Sequence, residues 1–175
     1  MDSRKTYEFE GSTPTVDEAA HVSREAVLVG DVTIAADASV WPGAVLRGDI
    51  APVQIGQQTH VSDNTTVHAA TVGDRVMIGH GAVINEATLG DDILVGFNTT
   101  VNTGVTIGER SVVAAGAVLP ENRDIPPESF VRGVPAEVTP LSQANVDVDT
   151  LLNRYSPRDY TDLVERHTDL FDRDG

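Results

Sequence analysis

The 175-residue sequence predicts an all-β solenoid, a parallel β-helix of hexapeptide repeats followed by a C-terminal α-helix, and three observations carry that prediction. First, an aliphatic residue recurs at positions 16, 22, 28, 34, 40, 46, 55, 61, 67, 72, 78, 84, 89, 95, 101, 107, 113 and 119, and fourteen of these seventeen intervals are six residues long. Neither the period of a helix nor that of a strand produces six, whereas a solenoid in which each unit forms one side of a three-sided coil does. Second, glycine often follows the aliphatic residue, as in Val29-Gly30, Ile55-Gly56, Val72-Gly73, Ile78-Gly79, Val95-Gly96 and Ile107-Gly108, which suits a tightly turning backbone. Third, 25 valines accompany an aromatic content of only 5%, as a narrow interior that favours branched aliphatics over rings requires.

Taken in order, residues 1–15 read as a polar lead-in strand or tail, and residues 16–125 as eighteen units making six coils. After Pro126-Pro127 and Pro135 the period stops, so residues 126–175 read as a connecting segment and a C-terminal helix. Ser156-Pro157-Arg158-Asp159 has the form of a helix start, with Ser156 as N-cap and Pro157 in the first turn. Tyr160, Leu163, Val164, His167, Leu170 and Phe171 then share one helical face, on which His167 reads as packing or surface rather than a ligand. Leu151 and Leu152 suggest a shorter preceding helix. Such a segment can cover a solenoid end, which otherwise presents unpaired strand edges and bare apolar core.

Charge narrows the partners. Asp and Glu number 27 against 12 Lys and Arg, a formal net charge of −15 that repels nucleic acid and anionic membranes alike. Among these charges are 17 Asp, 10 Glu, 11 Arg and a single lysine, Lys5, a halophilic bias. Molar salt shortens the Debye length to about 3 Å and so tolerates this self-repulsion. No cysteine is present, which excludes disulfides and thiolate metal sites and leaves His and carboxylates as the strong ligands. No signal-like start and no long apolar run is visible, so a cytoplasmic location is expected.

The repeat also converts sequence distance into geometry, because equivalent places three units apart stack on successive coils at about 4.8 Å. Arg47, His68, Asn85 and Asn102 each directly follow their aliphatic residue and form one column. Asp63, His80 and Phe97, two places after theirs on the preceding side, form a second. His68 and His80 lie on different sides of the prism, so they either meet across a subunit boundary, once per interface of a closed ring, or are scattered surface histidines.

The run Val40-Trp41-Pro42-Gly43-Ala44-Val45-Leu46-Arg47-Gly48-Asp49, with Ile78-Gly79-His80-Gly81 and Gly133-Val134-Pro135-Ala136, resembles the γ-class carbonic anhydrase family. The resemblance covers most of the chain. It implies a left-handed β-helix assembled as a homotrimer, with zinc or another divalent metal at each interface activating water for attack on carbon dioxide. It places the metal ligands at His68, at His80 donated by the neighbouring chain, and at Asn85, where the family has a third histidine. It places Arg47, Asp49 and Asp63 in a polar network at the site and seam, and Ser62 where the family has a glutamine that orients metal-bound hydroxide. The implied ligand of the cleft is a small molecule, carbon dioxide, bicarbonate or a small carboxylate.

Asn85 is the main departure, since an amide oxygen is a neutral, weaker donor than imidazole. Glu86 offers a carboxylate one residue out of register. His60 replaces a family asparagine and is expected to be a surface or interface histidine. Only Ala69, Ala70 and Thr71 separate His68 from Val72, leaving no room for the acidic proton-shuttle loop of some members. Weakened metal-assisted hydration is therefore one reading. A catalytically silent trimeric binding or scaffold protein is another, and a hexapeptide-repeat acyltransferase or thioesterase with His80 as base is a third.

Overall fold

The computed structural model of the chain describes residues 5–154 and 157–171, apart from the side chains of 157–161 and 168. The aliphatic series points inward throughout: every position from Val22 to Leu119 is buried, and Val16 at the entry is half-buried. The series continues through Ile125 and Val131, and the strand Ser129–Arg132 still pairs in parallel with Val112–Val113. Beyond it, Glu137–Pro140 folds back antiparallel on Ser129–Arg132 and ends the ladder.

A second inward position lies two residues before each aliphatic one. It carries small side chains at Ala26, Ala38, Ala44, Ala82 and Ala117 and larger ones at Val32, Val53, Val76, Ile93 and Val105, all buried, so both inward positions fill the core. Where it carries a hydroxyl the group is bonded to a carbonyl: Thr59 Oγ1 donates to Gly73 at 2.7 Å and Thr99 Oγ1 to Gly96 at 2.8 Å. In so tightly packed an interior, truncating a large side chain opens a cavity that neighbouring coils cannot close. Ile84→Ala is expected to cost about 2–5 kcal/mol in denaturant unfolding.

Two faces of the prism belong to one twelve-stranded sheet, because the strands Val27–Ile34 and Val45–Ile55 run unbroken through a corner. The third face is an eight-stranded sheet. The nine-residue interval between Leu46 and Ile55 becomes a bulge: Gly30 aligns with Gly48 but Val32 with Val53, so Asp49 to Pro52 leave the register and Ile50 stands out in solvent. Gly48 starts that departure in contact with the backbone of Asp31, and a Cβ there would overlap the Asp31 carbonyl.

On the eight-stranded face Ser39, His60, Met77, Leu94 and Val112 form an outward column, and the C-terminal helices lie over it. These are α1 (Val148–Arg154), α2 (Pro157–Arg166) and α3 (Thr168–Phe171). Leu151 and Leu152 are half-buried in α1, as the sequence suggests. Where one continuous helix is expected from residue 157 onward, the helix breaks at His167, whose N–H donates to the Val164 carbonyl at 2.9 Å and whose own carbonyl accepts from Leu170. The tighter turn still seats the apolar face: Val164 is buried, and the Phe171 and His167 rings meet Trp41 edge-on at 5.2 and 5.9 Å. The expected N-cap, Ser156, and the Tyr160 side chain lie outside the described residues.

His60 is not a surface residue. It is 2% exposed, packs against Trp41 at 5.3 Å and shares a hydrogen bond at Nδ1 with the Ser39 hydroxyl, 2.8 Å away. Its outward place in the column becomes an inside place once the helices cover that face. Burial, with a smaller push from His80, lowers its pKa to about 3. The unfolded chain then binds a proton that the folded chain refuses, so stability present above about pH 6.5 is lost as pH falls towards 3. The slope through that window is about 1.4 kcal/mol per pH unit. A His60→Gln variant is expected to lose most of this component in urea titrations at pH 7 and pH 5.

Candidate functional site

The two columns read from the repeat exist. Arg47, His68 and Asn85 align on successive strands, and Asn102 follows on the next. At the adjoining corner the Gly81 N–H bonds to the Asp63 carbonyl and the Asn98 N–H to that of His80, which stacks Asp63, His80 and Phe97. The strand register sets both columns before any side chain chooses a rotamer.

Within the first column the side chains form a closed hydrogen-bonded chain. His68 is buried, with Nδ1 at 2.9 Å from Asn85 Oδ1 and Nε2 at 3.0 Å from Asp49 Oδ1. Asn85 Nδ2 donates to Thr103 Oγ1 at 2.9 Å and to Glu86 Oε1 at 3.2 Å, and the Thr103 hydroxyl donates to the same Glu86 oxygen at 3.3 Å. These two acceptors fix the amide orientation, since a flipped amide would set its oxygen against the Glu86 carboxylate. The Asn85 oxygen is therefore the atom that faces His68 Nδ1, and it accepts in the tautomer that carries hydrogen there. Asp49 reaches His68 because the bulge carries it over the column. Desolvation pushes its carboxyl up, but the His68 hydrogen bond and the Arg47 guanidinium, 3.5 Å away, outweigh that and hold it below the ordinary aspartate value.

The second column is open. His80 Nδ1 lies 2.9 Å from Asp63 Oδ2, its ring rests against Phe97 at 5.1 Å, and its side chain is 56% exposed. Gly79 permits the approach of that phenylalanine, because a Cβ there would fall 2.6 Å from its Cδ1. Gly79→Ala is accordingly expected to displace Phe97 and lower stability by about 1–3 kcal/mol, measured by thermal unfolding. Ser62, one place before Asp63, is 3% exposed.

Sequence reasoning thus named Arg47, Asp49, Ser62, Asp63, His68, His80 and Asn85, and the structure places them in two neighbouring clusters on one chain. It did not foresee that Asp49 and Asn85 would take both nitrogens of His68, that Asp63 would orient His80, or that Thr103 would join. Glu86, expected to point elsewhere, reaches the Asn85 amide from a left-handed backbone conformation with φ of 47°.

A family-type metal centre needs donors aimed at one point. Here the Asn85 oxygen is spent on His68, and His68 is spent on Asn85 and Asp49. Among the described residues of a single chain, no three His, Cys, Asp or Glu side chains converge as a metal site. The donor chemistry of His68 and Asn85 does not fit a three-histidine zinc centre. The arrangement instead holds His68 rigid beside a more exposed, carboxylate-oriented His80.

Comparison with known proteins agrees with the fold and with the resemblance. A family model described as the hexapeptide repeat of succinyl-transferase matches residues 69–102 and 86–120. The chain is 34% identical over 165 residues to γ carbonic anhydrase 1, mitochondrial, of Arabidopsis thaliana, covering 88% of this chain and 59% of that protein. It therefore spans about three fifths of that relative's length. It is also 34% identical over 166 residues to the carnitine operon protein CaiE of Escherichia coli K12, covering 91% of this chain and 83% of CaiE. Among solved structures, a hexapeptide transferase family protein from Anaplasma phagocytophilum superposes with a TM-score of 0.85 at 29% identity, covering 93% of this chain and 97% of that one.

Proposed function

As the chain belongs to the γ-class carbonic anhydrase-like family of hexapeptide-repeat proteins, we propose that it acts as a homotrimer with a small-molecule cleft at each subunit boundary, where carbon dioxide hydration is strongly weakened. In this reading His68 of one subunit faces His80 of the next, and the cleft takes carbon dioxide, bicarbonate or a small carboxylate. The observation that carries it is the Asn85 amide, whose oxygen is bonded to His68 and whose nitrogen is bonded to Thr103 and Glu86. A resident zinc or other divalent ion in the family's manner would need that oxygen turned away from His68 and the Asp49 contact broken.

The chain's own residues then supply binding and orientation. Arg47 is the exposed cation of the column, suited to bidentate pairing with a carboxylate at a seam. Asp49 and Asn85 fix the His68 ring, and Asp63 fixes that of His80. The limiting form of this reading is a trimer that binds and does not catalyse, which the saturated His68 favours over robust hydration. Acyl transfer draws support from the matching succinyl-transferase repeat and from the fold of a transferase-family neighbour, neither of which supplies a residue of this site.

Assembly gives an independent test. Three chains at −15 each carry −45, so trimer contacts require screening. Light scattering is expected to report a trimer in about 1 M KCl, where the Debye length is about 3 Å, and dissociation near 0.01 M, where it is about 30 Å. A trimer that persists in dilute buffer contradicts the salt requirement, and a monomer in both contradicts the assembly.

A further inference from the structure

Two apolar features lie outside the hydrogen-bonded column. One is a groove of about 220 Å³ along the eight-stranded face, lined by Met77, Leu94 and Val112, by Leu151 of α1, and by His80 and Phe97 at the coil corner. Apart from Ser62 and His80 its lining carries no polar side chain, yet the Phe97 and His80 side chains are half in solvent. The other is Ile50, which projects from the bulge at 49–52, is 69% exposed and does not line the groove of its own chain. A lone exposed isoleucine means little by itself, so its position decides.

The strand pattern relates the two. Thr66–His68 and Val83–Asn85 each begin just after the corner that holds Asp63 or His80 and end on the column that holds His68 or Asn85. The two columns therefore border opposite edges of one face of the prism. In a closed ring where His68 of one chain meets His80 of the next, that face turns towards the axis, and the His68 edge of each chain abuts the His80 edge of its neighbour. Val83, exposed on this face in the single chain, then points at the axis. Ile50 lies just beyond the His68 edge, since Asp49, its neighbour in the chain, reaches His68 Nε2 at 3.0 Å. The groove begins just beyond the His80 edge. The bulge of one chain is thus carried across the seam onto the groove of the next.

We propose that Ile50 seats in the neighbouring subunit's groove beside His80 and Phe97, once per seam, so that a second copy of this chain is the groove's occupant. The inference rests on the trimeric reading above and adds to it the contact that holds the seam. An aliphatic side chain suits that task in a chain of net charge −15, because molar salt screens ion pairs and leaves apolar burial intact.

The full-length protein in about 1 M KCl tests it by sedimentation and by methyl-labelled methionine, for which the chain provides its own control: Met77 lines the groove and Met1 does not. Ile50→Ala is expected to move the Met77 methyl resonance in the trimer, to leave it in place at dilutions where the chain is monomeric, and to leave Met1 unmoved in both. Ile50→Asp, which would bury a carboxylate in the apolar groove, raises the concentration at which the trimer dissociates about 100-fold or more. Ile50→Leu, of equal volume, keeps it within about threefold of wild type. A wild-type trimer whose dissociation is unchanged in Ile50→Asp, or whose Met77 methyl is unmoved in Ile50→Ala, overturns the contact and leaves the trimeric reading standing. A wild-type chain that stays monomeric overturns both.

Discussion

Asn85→His is expected to convert a chain that takes up little zinc into one that retains close to one zinc per chain, with carbon dioxide hydration rising about 100-fold or more. The substitution removes the oxygen that faces His68 Nδ1 and the amide that donates to Thr103 and Glu86. It places an imidazole one coil from His68, in a column whose backbone register is already correct. The metal supplies the chemistry of lowering the pKa of bound water towards about 7, so the gain tracks metal content. Asn85→Ala is the necessary partner variant: it breaks the same hydrogen bonds, adds no donor, and is expected to gain neither zinc nor activity. Equal gains in both variants would show that release of His68, rather than the new ligand, is what matters.

Trp41→Ala has the largest expected effect on stability, about 3–5 kcal/mol in denaturant unfolding. Trp41 is the surface on which the C-terminal segment closes: its ring meets Phe171 and His167 edge-on, covers His60, and donates through Nε1 to Ser39 Oγ at 3.3 Å. Removing it opens the buried Ser39–His60 pair to water and detaches α3 from the outward face of the coil. Limited proteolysis should therefore cut the variant after residue 140 well before wild type, while the solenoid survives as a protected core. The acid sensitivity assigned to His60 should fall in the same variant, because hydrated imidazole protonates near its ordinary value. Trp41→Phe, which keeps a ring but loses the indole donor, should retain most of the stability.

The solenoid was legible because its rule is arithmetic. Once an inward aliphatic side chain recurs every six residues, strand pairing and the stacking of Arg47 on His68 on Asn85 follow without knowledge of rotamers, although the six coils expected fall short of a ladder that continues through Ile125 and Val131. A second inward position two residues earlier was not legible in this way, because its occupants range from Ala26 and Ala38 to Val53 and Ile93. What departed from the period was less legible. The nine-residue interval after Leu46 announced an irregularity, but only the backbone shows it bulging so that Asp49 lands on His68. His60 stood on an outward position and was read as a surface or interface residue, because nothing in its own repeat unit reveals that a segment about one hundred residues later in the same chain covers it.

The site residues were found by column and their partners were not, for a related reason. Register fixes Cα positions, whereas the pairings Asp63 with His80 and Asn85 with His68 depend on side-chain directions and on which neighbours already hold a hydrogen bond. Sequence comparison alone treats Asn85 as a missing ligand. The structure makes it an occupied position: the amide is bonded on both its oxygen and its nitrogen, and the histidine it would share a metal with is held on both sides of the ring.

That occupied position is the central claim, and metal content with activity on the unmodified chain tests it most directly. Untagged protein purified in molar salt, incubated with excess zinc and freed of unbound metal, is measured for zinc per chain and for the rate of carbon dioxide hydration. The Asp49–His68–Asn85 network predicts zinc far below one per chain and hydration near the uncatalysed rate. A full equivalent of zinc retained per chain, together with rapid hydration, would contradict it.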